Sequence, residues 1–192
     1  MKKIGLMLVI ALVGVFMVTG CGKTEYLTGK INVEIEVKDY GTIAVELDAD
    51  EAPITVTNFV DLVEEGFYDG LTFHRIIDGF MIQGGDPNGD GSGGSSRTIK
   101  GEFSSNGVDN SIDHVRGVIS MARSSLPNSA SSQFFIVQED SPHLNGEYAA
   151  FGHVTSGMEI VDAICEDVQV EDTNGTVLPE NQPVITSIKV VE

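Results

Sequence analysis

Cysteine and positive charge are both scarce in this sequence, and each shortage excludes a class of protein. The 192 residues include two cysteines, too few for a disulfide-rich scaffold. Eleven lysines and arginines stand against 29 aspartates and glutamates, which gives a formal net charge of −18. Because nucleic acid would repel such a chain, we expect no nucleic-acid partner, and neutral or basic polypeptides are better suited.

The pattern of a metal site or of a covalent catalyst is also missing. The four histidines, His74, His114, His143 and His153, lack zinc-ligand spacing. No Ser-His-Asp or Cys-His constellation is recognisable, which disfavours hydrolysis. We therefore expect no metal and no cofactor.

The glycine-rich segment 84–94 contains two incomplete motifs. Its spacing from Gly89 to Gly94 fits a dinucleotide-binding loop, but no helix follows that could bind a phosphate. Asp86 opens a pattern like the start of a calcium loop, yet the twelfth position is Arg97 where a bidentate glutamate is required. A flexible surface loop is the favoured interpretation, and loose calcium binding is the alternative.

The first twenty residues have the pattern of an export signal. Two lysines precede an apolar segment, Ile4 to Met17, that is too short for a comfortable membrane span. Val-Thr-Gly before Cys21 resembles the bacterial lipobox, in which the cysteine is lipidated and becomes the new N-terminus. We predict a lipoprotein signal peptide over 1–20, a lipidated cysteine and tether over 21–30, and a folded domain over 31–192. An ordinary secretory signal with an incidental cysteine is the alternative.

Cys165 would then have no disulfide partner. It lies in a segment where Val161, Ile164, Cys165 and Val168 follow helical spacing. We expect a buried, inert thiol. The domain must be stable without a disulfide, which its length permits.

Hydrophobic periodicity predicts many short strands and two helices. Apolar and polar residues alternate over 31–38 and again over 43–47, which indicates a half-buried hairpin. Pro53 opens a helical segment that Gly66 ends. The apolar stripe of that helix consists of Val56, Phe59, Val60 and Val63. Further β-like runs cover 118–122, 134–137 and 184–191, with a helix around Val161 between the last two. The pattern predicts a mainly β fold, either an antiparallel barrel or a sandwich.

The most informative stretch runs from Phe73 to Asp86. Two short strands, Phe73 to Ile77 and Phe80 to Gln83, flank Asp78-Gly79, a dipeptide that is favoured in tight hairpin turns. A hairpin is therefore predicted here.

Alternation along this hairpin places Arg75 on an apolar face. Phe73, Arg75 and Ile77 would share one face, with Met81 and Gln83 on the matching face of the partner strand. From residue types alone, an arginine paired with a carboxylate elsewhere in the chain is the favoured interpretation. A cation supported by Gln83 for binding or catalysis is the alternative.

These two strands also carry a resemblance to a known family. Phe-His-Arg-Ile-Ile from Phe73, followed by Phe-Met-Ile-Gln-Gly-Gly-Asp from Phe80, resembles the signature of the cyclophilin family of peptidyl-prolyl isomerases. Three further motifs, Gly117–Ala122, Ser132–Ile136 and Phe151–Val154, follow in the family's order, so the match runs from about residue 31 to the end. The resemblance implies a closed eight-stranded antiparallel β-barrel capped by two α-helices.

The resemblance further implies how each site residue acts. Arg75 would weaken the resonance of the X-Pro amide, and Gln83 would support Arg75. The peptide would bind in a proline pocket and an adjoining groove, where the backbone at Arg123 would hold it. The pocket residues are Phe80, Met81, Phe135 and Leu144, and the groove residues are Ala122, Arg123 and Gln133.

Three positions differ from the best-known eukaryotic pattern of the family. His143 replaces a tryptophan, Tyr148 a histidine and Arg123 an asparagine. The first two belong to the rim of the pocket, so the affinity for family inhibitors is expected to change. The third matters less, because that contact is made by the backbone.

Combined, these features predict a membrane-anchored, extracytoplasmic prolyl isomerase of a bacterial cell that speeds the folding of exported proteins. Its partners would be proline-containing unfolded or extended polypeptides, its only contact with the membrane would be the lipid, and we expect a monomer. A non-catalytic module or chaperone that binds proline segments with the same fold is an alternative, and a lipoprotein that uses the barrel only as a scaffold is another. Arg75 together with Phe80 and Phe135 favours the enzyme.

Overall fold

The structure, a computed structural model, describes residues 25–191. The predicted signal peptide and the lipidation site Cys21 lie outside this range. Among the described residues, no helix has the length and apolar character needed to cross a bilayer.

The strands are β1 (Lys30–Val37), β2 (Gly41–Asp48), β3 (Phe73–Ile77), β4 (Met81–Gly84), β5 (Val118–Met121), β6 (Phe134–Val137), β7 (Ala150–Ser156) and β8 (Ile185–Val191), and the helices are α1 (Pro53–Glu64) and α2 (Met158–Asp167).

All eight strands form one antiparallel sheet in the order β3-β4-β6-β5-β7-β2-β1-β8. The sheet curls until the residues just before its two outer strands, Thr72 before β3 and Val184 before β8, meet at an isolated bridge. Beside this bridge, the N–H of Ile185 donates to the carbonyl of Leu71 at 2.8 Å. The expected eight-stranded antiparallel fold with two helices is confirmed, and the closure consists of a few contacts rather than a continuous ladder.

The core lies inside the curled sheet and is closed by the two helices. Alternate residues of β1 and β2 point inward, as predicted, and α1 contributes its predicted stripe. Phe59 from α1 contacts the rings of Tyr68, Phe134 and Phe151 at centroid distances of 5.0 to 5.5 Å. The helix begins at Pro53, and Gly66 beyond its end has φ +67°, which suits glycine.

Alternation in the sequence assigns one residue of β3, Phe73, to the wrong face of the sheet. A β-bulge lies between Phe73 and Arg75, so that Phe73 pairs with Gly84 while Arg75 pairs with Gln83. The extra residue reverses the alternation, because successive side chains point to opposite faces. Phe73 is therefore fully buried in the inner core, and Arg75 points to the outer face of the sheet.

The strand β7 has no clear period in the sequence. Its third residue is Gly152, and a β-carbon there would lie 2.4 Å from the carbonyl oxygen of Glu46 on β2. Close approach of two backbones requires glycine at this position, but it removes the side chain that would have shown the alternation.

Cys165 lies on the buried side of α2, as predicted. Burial, reinforced by Asp78 and Asp162, raises the pKa of its thiol to about 12. Because the thiolate is the reactive form, this cysteine is unreactive at neutral pH.

Candidate active site

The predicted site residues come together on the outer face of the sheet, around two neighbouring cavities. The larger cavity, about 330 Å³, is lined by Arg75, Phe80, Met81, Gln83, Ala122, Arg123, Phe135, Leu144 and Tyr148. The smaller, about 240 Å³, includes Gln133 and the serine- and glycine-rich segments beside it. Gln83, Ala122 and Arg123 line both cavities and so form the wall between them.

Strand register aligns the main functional side chains in one row. Arg75 on β3 pairs with Gln83 on β4, which pairs with Phe135 on β6, which pairs with Ser120 on β5. Directly paired residues have side chains on the same face, about 5 Å apart. The bulge in β3 is what brings Arg75 into this row.

Two neutral acceptors hold the guanidinium of Arg75. Its Nε donates to the backbone carbonyl of Asn174 at 2.8 Å, and its Nη1 donates to Oε1 of Gln83 at 3.1 Å. Among residues 25–191, no carboxylate forms an ion pair with it. The interpretation of Arg75 as an ion-paired core arginine is therefore wrong, and its charge is not neutralised by a neighbour.

Arg75 remains a full positive charge at physiological pH. Burial lowers the pKa of Arg75 below its usual value, and the proximity of Tyr148 and Asp172 opposes this shift. Guanidinium does not lose its proton in proteins. Two of its five N–H groups are used by Asn174 and Gln83, so the others can donate to a ligand.

Gln83 is fixed in turn by a chain of amide hydrogen bonds. Its Nε2 donates to Oε1 of Gln133 at 2.9 Å. Gln133 then donates to the carbonyls of Gly91 and Gly93 at 3.1 and 2.8 Å. These contacts orient the amide oxygen of Gln83 toward Arg75, and they connect the cation to the glycine-rich segment.

The glycine-rich segment 84–94 makes more hydrogen bonds than its composition leads one to expect. Asp86 is buried, and its carboxylate accepts hydrogen bonds from the N–H groups of Asn88, Asp90 and Gly91 at 2.6 to 3.3 Å. Its oxygens are therefore occupied by the backbone. Within the described range no cluster of three or more His, Cys, Asp or Glu residues is placed to hold a metal ion.

An apolar cluster forms the floor of the larger cavity. Met81, Phe135 and Leu144 are 1%, 5% and 7% exposed, so each presents only one edge to the cavity. They belong to a cluster on the outer face of the sheet, separate from the inner core. Such a floor suits a small apolar ring, such as that of proline.

The rim of this cavity is formed by aromatic contacts. The rings of Tyr148 and Phe135 are nearly perpendicular, with 5.8 Å between the centroids. The exposed His143 does not line the cavity, but its ring lies 5.4 Å from that of Phe80. His143 thus supports the rim from outside.

A buried polar group behind Phe135 was not found by sequence reasoning. His114 stacks on Phe135 and has Asn145 and Ser120 at its two ring nitrogens, at 3.2 and 3.0 Å. Burial lowers the pKa of His114, so it is neutral at pH 7. Ser120 is completely buried and therefore cannot reach a substrate as a nucleophile.

The second missed residue, Asn174, acts through its backbone carbonyl, which no side-chain motif can reveal.

This arrangement can bind and polarise an amide without covalent chemistry. It combines an apolar floor, a fixed cation with unused donors, and a polar groove beside it. Rotation about an X-Pro bond faces a resonance barrier of about 18–20 kcal/mol. A donor that engages the prolyl nitrogen weakens this resonance, and about 4 kcal/mol of stabilisation gives a thousandfold acceleration.

Comparison with known proteins points to the same chemistry. Residues 32–190 match the family described as cyclophilin type peptidyl-prolyl cis-trans isomerase/CLD. A peptidyl-prolyl cis-trans isomerase B of Bacillus subtilis is 50% identical over 123 residues, covering 64% of this chain and 82% of the relative. A peptidyl-prolyl cis-trans isomerase of Helicobacter pylori is 46% identical over 144 residues, covering 74% of this chain and 81% of the relative.

Solved structures are similar as well. The crystal structure of a Cryptosporidium parvum cyclophilin type peptidyl-prolyl cis-trans isomerase, in the presence of the dipeptide Ala-Pro, superposes with a TM-score of 0.73 at 34% identity. The match covers 84% of this chain and 99% of that structure.

Proposed function

Since this chain belongs to the cyclophilin-type peptidyl-prolyl cis-trans isomerase family and is such an enzyme, we propose that it accelerates the folding of exported proteins at the outer surface of a bacterial cell membrane. Its substrates would be extended or unfolded polypeptides that contain proline. The observation that carries this proposal is the combination of the Arg75 site with a lipobox-like sequence before the folded domain.

The proposed mechanism assigns one task to each part of the site. The proline ring occupies the apolar floor around Phe135, which positions the prolyl nitrogen near the guanidinium of Arg75. A hydrogen bond from Arg75 to that nitrogen localises its lone pair and lowers the barrier to rotation. Gln83 and Asn174 hold the guanidinium in place before substrate arrives, so little reorganisation is required during the reaction.

The membrane location rests on the sequence before residue 25. Lys2 and Lys3, the apolar segment to Met17 and the Val-Thr-Gly-Cys motif together match a lipoprotein signal. Several acyl chains on Cys21 would anchor the protein stably, whereas one chain binds only marginally. The domain would then work close to the membrane, where exported chains emerge unfolded.

Two experiments test the two halves of the proposal. A protease-coupled assay on a short Ala-Pro peptide measures isomerisation, and no acceleration by the folded protein would refute the activity. Labelling of expressing bacteria with radioactive palmitate should label the wild-type protein and leave Cys21→Ala unlabelled. Equal labelling of both would refute the anchor at Cys21, whatever the assay shows.

A further inference from the structure

The guanidinium of Arg123 lies over two aromatic rings. Its Cζ lies 5.0 Å from the centroid of Phe103 and 4.7 Å from that of Tyr148. The side chain is only 13% exposed. A guanidinium stacked in this way gains from cation–π attraction to both rings, the more so where it is partly removed from water.

Hydrogen bonds fix the same guanidinium from its edges. Nε and Nη2 donate to the carbonyl of Glu147 at 2.9 and 2.8 Å, and Nη1 donates to the carbonyl of Ser124 at 2.9 Å. The carboxylate of Glu147 lies 3.6 Å from Nη2. The Nε, Nη1 and Nη2 of Arg123 are therefore all engaged by the protein itself, while Arg123 as a residue lines both cavities.

The contact reaches the proline pocket through Tyr148. The face of the Tyr148 ring lies against Arg123, and the same ring packs perpendicular to Phe135, which forms the floor. Tyr148 also lines the larger cavity. Immobilising this ring fixes the distance between one wall of the pocket and its floor.

We propose that Arg123 is a positioning residue that holds Tyr148 as a rigid wall of the pocket and so restricts the pocket to the five-membered ring of proline. This inference rests on the isomerase function and adds to it a determinant of substrate size. A rigid wall rejects an added methylene because overpacking is costly, whereas a mobile wall can move aside.

The test compares two peptides that differ by one methylene in the ring, Ala-Pro and Ala-pipecolyl, each measured for kcat and KM. The wild-type protein should prefer proline. In Arg123→Ala, KM for the proline peptide should rise by about threefold to tenfold with a smaller change in kcat, and the preference for proline should fall by a similar factor. Tyr148→Ala should relax the preference in the same way.

Conservative variants separate positioning from a general loss of structure. Tyr148→Phe retains the ring and should keep the preference. Arg123→Lys keeps the charge but loses the fork that reaches two carbonyls, so it should be intermediate. Arg97→Ala, which removes an exposed arginine beside Asp61, is the matched control and should behave as wild type.

Each result decides the question. The proposal is overturned if folded Arg123→Ala keeps the wild-type preference for proline, or if it slows isomerisation of both peptides equally. Either result would show that Arg123 does not hold Tyr148 as a rigid wall. If Arg123→Ala does not fold, Arg123→Lys and Tyr148→Ala give the answer. Should the wild-type protein turn over neither peptide, the isomerase premise fails, and the affinities of the two peptides measured by titration then test the wall alone.

Discussion

The Nε of Arg75 donates a hydrogen bond to the backbone carbonyl of Asn174, 99 residues further along the chain. The segment that carries Asn174 follows α2 and lies along the free edge of β3, where Arg75 and Thr176 form an isolated bridge. The position of the catalytic cation in the proposed mechanism thus depends on a turn that contains no predicted site residue.

Removing the cation should affect turnover more than binding. We expect Arg75→Ala to lower kcat by about a hundredfold or more, as the loss of one prepositioned electrostatic donor commonly does. Peptide affinity should change far less, because the apolar floor remains. Arg75→Lys should recover little, since an ammonium cannot serve Gln83, Asn174 and the substrate with one rigid fork. Undiminished activity in a folded Arg75→Ala protein would contradict the mechanism.

The turn around Asn174 gives a prediction for acidic pH. The N–H of Thr176, together with the Thr176 hydroxyl and the N–H of Asn174, donates to the carboxylate of Asp172 and lowers its pKa below the ordinary 3.8. A depressed pKa means that the stability from this carboxylate is present above pH 3.8 and is lost as the pH falls through the lower, folded-state pKa.

We therefore expect Asp172→Ala to be less stable than wild type at pH 6, and the difference to shrink as the pH is lowered to about 3. Thermal unfolding midpoints across this range measure it. At neutral pH the same variant should show reduced kcat, because the carbonyl of Asn174 is no longer held in place. Asp109→Ala, which changes another exposed acid, should show neither effect, and a pH-independent difference for Asp172→Ala would refute the role of its charge.

The side chains of the site can be predicted from the sequence, but the contacts that hold them in place cannot. Arg75, Gln83 and Phe135 lie in short motifs, and the structure places them in one cross-strand row. The bulge that orients Arg75 has no residue signature, so simple alternation along the strand assigns Phe73 to the wrong face. Asn174 contributes a backbone carbonyl, and His114 acts from behind the pocket; neither contact is local in sequence, and neither could be read from spacing.

Phe135→Ala should impair peptide binding more than turnover, whereas Arg75→Ala should impair turnover more than binding. Removing a phenyl ring that is 5% exposed takes away much of the apolar floor, so KM should rise more than kcat falls. The free energy of unfolding should also fall, by about 3 kcal/mol. Val137→Ala is the control, because Val137 belongs to the same outer cluster but does not line the cavity. It should lower stability while leaving KM near the wild-type value, and an equal rise in KM for both variants would contradict the assignment of the floor.

The rim gives a prediction about inhibition by cyclosporin. His143 is exposed beside Phe80, where the best-known eukaryotic members of the family have a tryptophan. An indole offers a larger apolar face and a donor in a different position from imidazole, so cyclosporin should inhibit the wild-type protein weakly and His143→Trp more strongly. Because the natural chain contains no tryptophan, the new fluorescence reports binding directly. Val190→Trp, on an exposed position of β8, supplies the same fluorophore away from the site. It should be inhibited as weakly as wild type, and its fluorescence should not change when cyclosporin is added. Tight inhibition of the unmodified protein, or no gain in His143→Trp, would show that residue 143 does not control inhibitor affinity.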